Sequence, residues 1–417
     1  MIRNRTKMTL AMTLGGTLAF GAVAGSSGKR VAASMGTLTV GVVGPFSGPY
    51  AELGLNLNQG AALAIADINK HGGVLGHQLR LASQDDALDA VDAVPATNTL
   101  INIDHVVAIV GNSSHTATAV LPIASKANIP DFVTGGGAEF DKITNPHFFR
   151  MAPSDTETAQ GIVEYAHMRG WNRIGLSLDN SGPSQALLAP IQKTAKKLRM
   201  RIVASVTPVA GLTSYLSTIS QLYANHPQAI LGQMDNATSG TMFGEIQQQG
   251  LESTPWIGTD AWGDPSFFDS VGAQTATGLI YPTAAASGAS LGGLQLQRLW
   301  QKQYHTALPP EGAAATWDAT MLFALGAEEA GTWKYPGLEK GILAIASPPG
   351  TKVGSYAEGY RLLQEHKKIN YEGAITNDNF NQYHNVYGPV SVLRYNADKT
   401  LRVVSTLTAD QIAKALK

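Results

Sequence analysis

Residues 37–54 read TLTVGVVGPFSGPYAELG. Thr37 to Val43 is a short β-rich run closed by Gly44, and Gly44-Pro45-Phe46-Ser47-Gly48 is built from residues that turns favour. Beyond it the period changes. Leu57, Ala61, Ala64, Ile65 and Ile68 fall on one face of a helix stopped by Gly72-Gly73. Leu79–Leu81 begins a second strand ending at Asp85-Asp86, and a helix follows from Val91 to Ile103, with Pro95 at its start or at a kink. Val106–Val110 is a continuous apolar strand, Thr116–Ala127 a helix and Pro130–Thr134 a further strand. Uninterrupted apolar strands of this kind belong to parallel sheets covered on both faces.

The alternation resumes after Arg150. Helix Thr156–Arg169, strand Arg173–Ser177, helix Ser184–Arg199 and strand Arg201–Ser205 lead into helix Thr213–Ala224, strand Gln228–Leu231, helix Thr238–Gln249 and strand Pro255–Gly258. Two βα series of similar size predict an α/β protein of two doubly wound, Rossmann-like lobes. In such sheets a ligand sits beyond the carboxyl ends of the strands, at the point where the strand order reverses. The candidate residues are therefore those that follow each strand.

Composition narrows the possibilities. The 417 residues suit two lobes, and 30 Lys plus Arg against 31 Asp plus Glu leave a net charge of −1, with no basic block to hold a nucleic acid. A 44% hydrophobic content excludes disorder, and the absence of Cys excludes disulfides, thiolate metal sites, cysteine nucleophiles and a lipid anchor on cysteine. Arg3, Arg5 and Lys7 precede an uncharged run from Met8 to Ala24 that ends Ala22-Val23-Ala24, the pattern of a secretory signal peptide over residues 1–24. Cleavage after Ala24 or near Ala33 predicts a mature protein in the periplasm.

GVVGPFSGPYAELG, followed by AIADINKHGGVLGHQLRLASQDD, resembles the opening of periplasmic amino-acid-binding proteins of the branched-chain (leucine/isoleucine/valine) type. GNSSHTATAVLPIASKANIP, IGTDAW and TWDAT resemble later segments of the same family, the last of them its aromatic-Asp-Ala helix start. The resemblance runs from Thr37 to Ala330. It implies a type I periplasmic-binding fold with a three-segment hinge, crossed near Arg150, near Tyr281 and between Gly373 and Val386. Lobe 1 is then residues 37–150 plus 283–372, and lobe 2 residues 151–282 plus 386–417. It further implies a monomer that captures an amino acid or related small carboxylate and delivers it to a permease and ATPase of the ABC type. The rivals within the fold are a sensor reporting ligand to a membrane receptor or kinase and a binder of a non-amino-acid carboxylate or amide.

An amino acid presents a carboxylate and an ammonium, so its site needs N–H and O–H donors facing a carboxylate acceptor. Ser113 and Ser114 precede a helix, where hydroxyls and free N–H groups receive anions, and His115 beside them is either a further donor or a solvated side chain. Gly136 and Gly137, with Gly135, read as a nest of N–H groups or as a plain turn. Ala138 stands where the family commonly has a hydroxyl. Asp260 either matches the family's acid for the ligand ammonium or is the cap or Asx-turn residue of its own loop. Asp235 is either a second acid or the cap of the following helix. Phe46, Trp262 and Tyr50 either supply an aromatic wall or pack at a lobe edge, and Leu53 lies where the family often has an aromatic.

An enzyme is not expected. There is no His-Glu-x-x-His, Gly-x-Ser-x-Gly, Walker loop or Gly-x-Gly-x-x-Gly, and the 10 His show no ligand spacing. No cofactor is called for. Asp85-Asp86 reads as a strand-end turn.

Overall fold

The computed structural model describes residues 36–263, 265–285, 290–306, 309–386, 388, 390–408 and 411, which fall in one compact unit. The signal peptide expected at Met1–Ala24 lies outside them. Strands β1 (Thr37–Gly44), β2 (Gln78–Asp85), β3 (Val106–Asn112), β4 (Asp131–Val133) and β5 (Phe148–Arg150) form a parallel sheet in the order β2-β1-β3-β4-β5. Helices α1 (Ala51–Lys70), α2 (Ala90–Asn102) and α3 (Ser114–Lys126) alternate with them. Asp89 caps α2 by accepting from the Val91 N–H at 2.6 Å, and Pro95 sits within that helix.

The second sheet repeats the plan. Helix α4 (Asp155–Met168) leads into β6 (Arg173–Leu178), β7 (Arg201–Val206), β8 (Ala229–Gln233), β9 (Trp256–Gly258) and β10 (Ile280–Tyr281), parallel in the order β10-β9-β8-β6-β7. The single helix expected over Ser184–Arg199 is two, α5 (Gly182–Ala186) and α6 (Leu188–Lys197); α7 (Leu216–Tyr223), α8 (Asn236–Gln248), α9 (Pro265–Val271) and α10 (Ala273–Leu279) complete the series. The fold is thus α/β with two five-stranded parallel lobes.

The chain then runs through β11 (Thr283–Ala285), α11 (Leu291–Tyr304), α12 (Glu311–Ala330), α13 (Gly337–Ile345), β12 (Thr351–Val353), α14 (Tyr356–Gln364) and β13 (Ile369–Tyr371), ending in β14 (Val390–Tyr395) and β15 (Leu401–Leu407). Helix α12 is buried from Ala313 to Ala327 and shares the first lobe's core with α1 and β1. Small residues let the two helices approach, and the Thr316 hydroxyl donates to the Leu57 carbonyl at 2.8 Å. β11 pairs antiparallel with β14, whose Val390 and Val392 enter the core of the second lobe. Residues 283–285 therefore sit with the second lobe instead of opening the return to the first.

Two of the connecting segments are tied together. Arg150 N–H donates to the His384 carbonyl at 2.9 Å, and Asn385 Nδ2 donates to the carbonyls of Phe140 at 3.2 Å and Asp141 at 2.9 Å. Asp318, fully buried in α12, accepts from the Tyr371 hydroxyl at 2.9 Å and from the N–H groups of Ala374 at 2.7 Å and Ile375 at 2.9 Å. Trp317 and Asp318 lie about two turns inside α12. The TWDAT segment is thus a mid-helix anchor; the helix starts at Glu311.

Candidate functional site

In the first sheet the strand order reverses between β1 and β3, so the loops after these strands converge. Asp85 organises the first loop: its Oδ1 accepts from the N–H groups of Phe46 at 2.8 Å and Ala87 at 2.9 Å. Hydrogen bonds from Ser47, Ala87 and Phe46 hold its carboxyl below the usual range. Phe46 and Leu53 are half-buried against the first lobe's core, and Leu53 lies beside the start of α12 at Gly312. Tyr50 is 55% exposed.

After β3, Ser113 takes the cap position of α3, but its hydroxyl pairs with Thr116 Oγ1 at 3.2 Å and caps no N–H. Ser114 Oγ accepts from the Gly137 N–H at 2.9 Å. That bond corrects the reading of the glycines as an open nest, because one of its donors is already engaged. Ala138 opens a short 3-10 turn, and His115 is exposed on the first turn of α3. Arg150 Nη1, buried beneath this loop, donates to Asp141 Oδ1 at 2.8 Å and the Gly137 carbonyl at 3.1 Å.

The second lobe presents acids. Ser154 caps α4 through the Thr156 N–H at 3.0 Å, which places Asp155 in the first helical turn against Gly136 of the other lobe. Asp260 follows β9. Its side chain is exposed to solvent at one side. The protein packed around the rest of it raises its carboxyl, opposed by its own N–H and that of Ala261. Burial pushes Asp155 up to about 7, with Asp260, Glu139 and Asp141 adding to the rise and Arg150 opposing it. Glu311, the first residue of α12, is pushed up to about 8 by burial and by the charges of Asp260 and Asp155. Three carboxyls from three segments thus share one electrostatic neighbourhood.

Two expected site residues are committed elsewhere. Asp235 is the cap of α8: its Oδ1 accepts from the Thr238 N–H at 3.0 Å and its Oδ2 from the Thr238 hydroxyl at 2.6 Å. Trp262 is fully buried in the core of the second lobe, stacked on Phe267 at 5.1 Å, with Nε1 donating to the Met234 carbonyl at 3.1 Å. It offers no wall to a cleft. Asp155 and Glu311 escaped sequence reading, although Pro153-Ser154-Asp155 and Pro310-Glu311 both carry helix-start chemistry. Among the described residues no group of three His, Asp or Glu is placed to hold a metal ion, and no helix is long and apolar enough to cross a membrane.

A stretch of 230 residues is 25% identical to an amino acid binding protein of Pseudomonas aeruginosa, covering 52% of this chain and 59% of that one. The chain thus spans less than two thirds of that relative, and it spans 32% of the Leu/Ile/Val-binding protein homolog 7 of Brucella abortus. The branched-chain amino acid transporter substrate binding protein of Streptococcus pneumoniae, in complex with isoleucine, aligns with a TM-score of 0.72 at 20% identity, over 89% of this chain and 99% of that one. A solute binding protein of an ABC transporter from R. palustris, in complex with benzoate, aligns with a TM-score of 0.69 at 16% identity, over 89% and 96%. At these identities the structural likeness is one of fold. Residues 37–399 match the model of one family, and this chain belongs to it: the periplasmic binding proteins.

Proposed function

We propose that the chain is an extracytoplasmic solute-binding protein that holds an amino acid or a related small carboxylate between its lobes and delivers it to an ABC importer. The observation that carries the reading is the division of chemistry across the cleft. Hydroxyls and N–H groups at the start of α3 come from the first lobe, and the carboxylates of Asp155 and Asp260 come from the second. A zwitterion needs both sets at once. Export of the protein and a permease with its ATPase as partners follow from the same reading, supported by the basic and apolar run over Met1–Ala24.

A thermal-shift panel of amino acids and small carboxylates tests it. A ligand at a hundredfold excess over Kd stabilises the native state by about 2.7 kcal/mol. Asp260→Asn then loses about 2–5 kcal/mol of affinity if the residue pairs with an ammonium. The fold shared with a benzoate-bound protein favours one second reading, a carboxylate without an amine. In that case Asp260→Asn leaves affinity unchanged.

A further inference from the structure

At the amino ends of the first lobe's strands the chain encloses a cavity of about 600 Å³. Val106 opens β3 there, Ile129 comes two residues before β4, and Pro146 and His147 come just before β5. The loops of the cleft follow the other ends of the same strands. β3 is seven residues long, so about 20 Å of sheet separates the two places. The remaining wall is the turn between α12 and α13, from Trp333 to Pro336, with Glu339 on the first turn of α13.

Rings make up much of that wall. Tyr335 stacks on His147 with centroids 4.1 Å apart, and its hydroxyl donates to the Pro146 carbonyl at 3.1 Å. Those two contacts fix the Tyr335 ring over the strand ends. Trp333 is half-buried and meets the His77 ring edge-on at 4.9 Å. Val106 and Ile129, in the core beneath, give the cavity an apolar floor. A ring-walled, apolar cavity of this size is suited to a small planar molecule. The His147 Nε2 is buried with no hydrogen-bond partner in the protein, and a polar atom left so is costly. Charge at the cavity is one-sided. Glu339 Oε1 lies 3.9 Å from His384 Nε2. Lys334 is exposed at the mouth and forms no ion pair among the described residues.

We propose that this cavity is a second small-molecule site, separate from the cleft, that takes a planar aromatic carboxylate: the ring lies against Trp333 and Tyr335, and the carboxylate meets Lys334. An aliphatic acid brings the charge without the stacking, and a neutral ring brings the stacking without the charge. The site stands whatever ligand the cleft holds.

Isothermal titration with indole-3-acetate, indole and cyclohexylacetate tests it, on the full mature protein and on Lys334→Gln, Trp333→Ala and Phe46→Ala. Indole-3-acetate is expected to bind, and to bind about tenfold tighter than either of the other two. Lys334→Gln alters an exposed residue and should keep the fold, weaken indole-3-acetate about tenfold and leave indole as it was. Trp333→Ala should weaken both ring-bearing probes, and Lys334→Gln decides should that variant fail to fold. Phe46→Ala, at the cleft, should weaken neither. Absence of indole-3-acetate binding to folded protein, or binding that Lys334→Gln leaves untouched, overturns the site. So does binding that falls in Phe46→Ala and persists in Lys334→Gln, because the probe then occupies the cleft.

Discussion

Gly136 and Asp155 stand face to face across the boundary between the lobes. A methyl group added at Gly136 would overlap Asp155 Oδ1 and lie 2.7 Å from the Pro153 carbonyl oxygen, while the Asp155 N–H donates to the Gly136 carbonyl at 2.7 Å. The loop after β4 and the first turn of α4 therefore hold each other in place, and the carboxylate is positioned by backbone contact as well as by its own rotamer. Gly136→Ala is expected to destabilise the protein by about 1–3 kcal/mol, the usual cost of overpacking. Because Asp155 must move, ligand affinity falls with it. Denaturant unfolding and titration of the same variant measure both, and loss of stability with affinity intact would separate Asp155 from the ligand.

Trp262 is expected to matter for stability. Its ring is enclosed by Trp256, Phe243 and Phe267, with centroids 6.1, 6.0 and 5.1 Å away. Trp262→Ala opens a cavity and leaves the Met234 carbonyl without its donor, for a loss of about 3–5 kcal/mol. Trp262→Phe keeps most of the packing and is expected to bind ligand as the parent does. Reduced affinity in a well-folded Trp262→Phe protein would return the ring to the cleft.

The lobes were legible because parallel strands buried on both faces must be written as apolar runs. Val40, Val42 and Val43 in β1 and Ile109 and Val110 in β3 are fully buried, as those runs require. Post-strand loops could likewise be located from strand ends. Local chemistry did not say which way each side chain turns. Asp235 and Asp260 both follow a strand and precede a helical turn, yet only the first spends its carboxylate on the Thr238 N–H. Glu311 depended on tertiary structure entirely: α12 begins 260 residues after α1 begins and packs along it. The pairing of Arg150 with Asp141 at 2.8 Å was hidden for the same reason, since nothing in FFR marks its last residue as buried.

Asp318 holds the third connecting segment to α12, and its removal should be felt there first. Asp318→Ala leaves the buried N–H groups of Ala374 and Ile375 and the hydroxyl of Tyr371 without an acceptor, each worth about 1–3 kcal/mol when unsatisfied. Asp318→Asn keeps one acceptor oxygen and should cost less. Hydrogen exchange localises the effect: faster exchange at Ala374 and Ile375 in Asp318→Asn, with the amides of β6 and β8 unchanged, is the expected pattern. Uniform acceleration through both lobes would mean that the segment is not separately anchored.

Asp235→Asn tests the cap. An amide in place of the carboxylate weakens the bonds from the Thr238 N–H and hydroxyl, and the expected loss is about 1 kcal/mol or less of stability. Ligand affinity should stay as it is, since those two bonds account for both carboxylate oxygens. Weaker binding at unchanged stability would reinstate Asp235 as a ligand contact.

The buried acids also set the direction of the stability-against-pH curve. Burial, the first cause in each case, pushes Asp131, Asp155, Glu157 and Asp318 up to about 7 and Glu311 up to about 8. In the unfolded chain the same groups ionise in the ordinary carboxylate range near pH 4. Between these limits the folded state holds more protons than the unfolded one, so stability must fall as pH rises. Their contribution is fully present below about pH 4 and is lost by about pH 8. His147 works against the trend: burial lowers its imidazole, and that group costs stability as pH falls through its unfolded value. Asp85, held low by hydrogen bonds, loses its contribution only in stronger acid. Five carboxyls against one imidazole predict a melting temperature that declines from pH 5 to pH 8 in ligand-free protein. Glu311→Gln, which cannot ionise, should flatten the upper part of that decline. A melting temperature that climbs steadily across this range would show that these carboxyls are ionised in the folded state and that the cleft carries its full negative charge without a ligand.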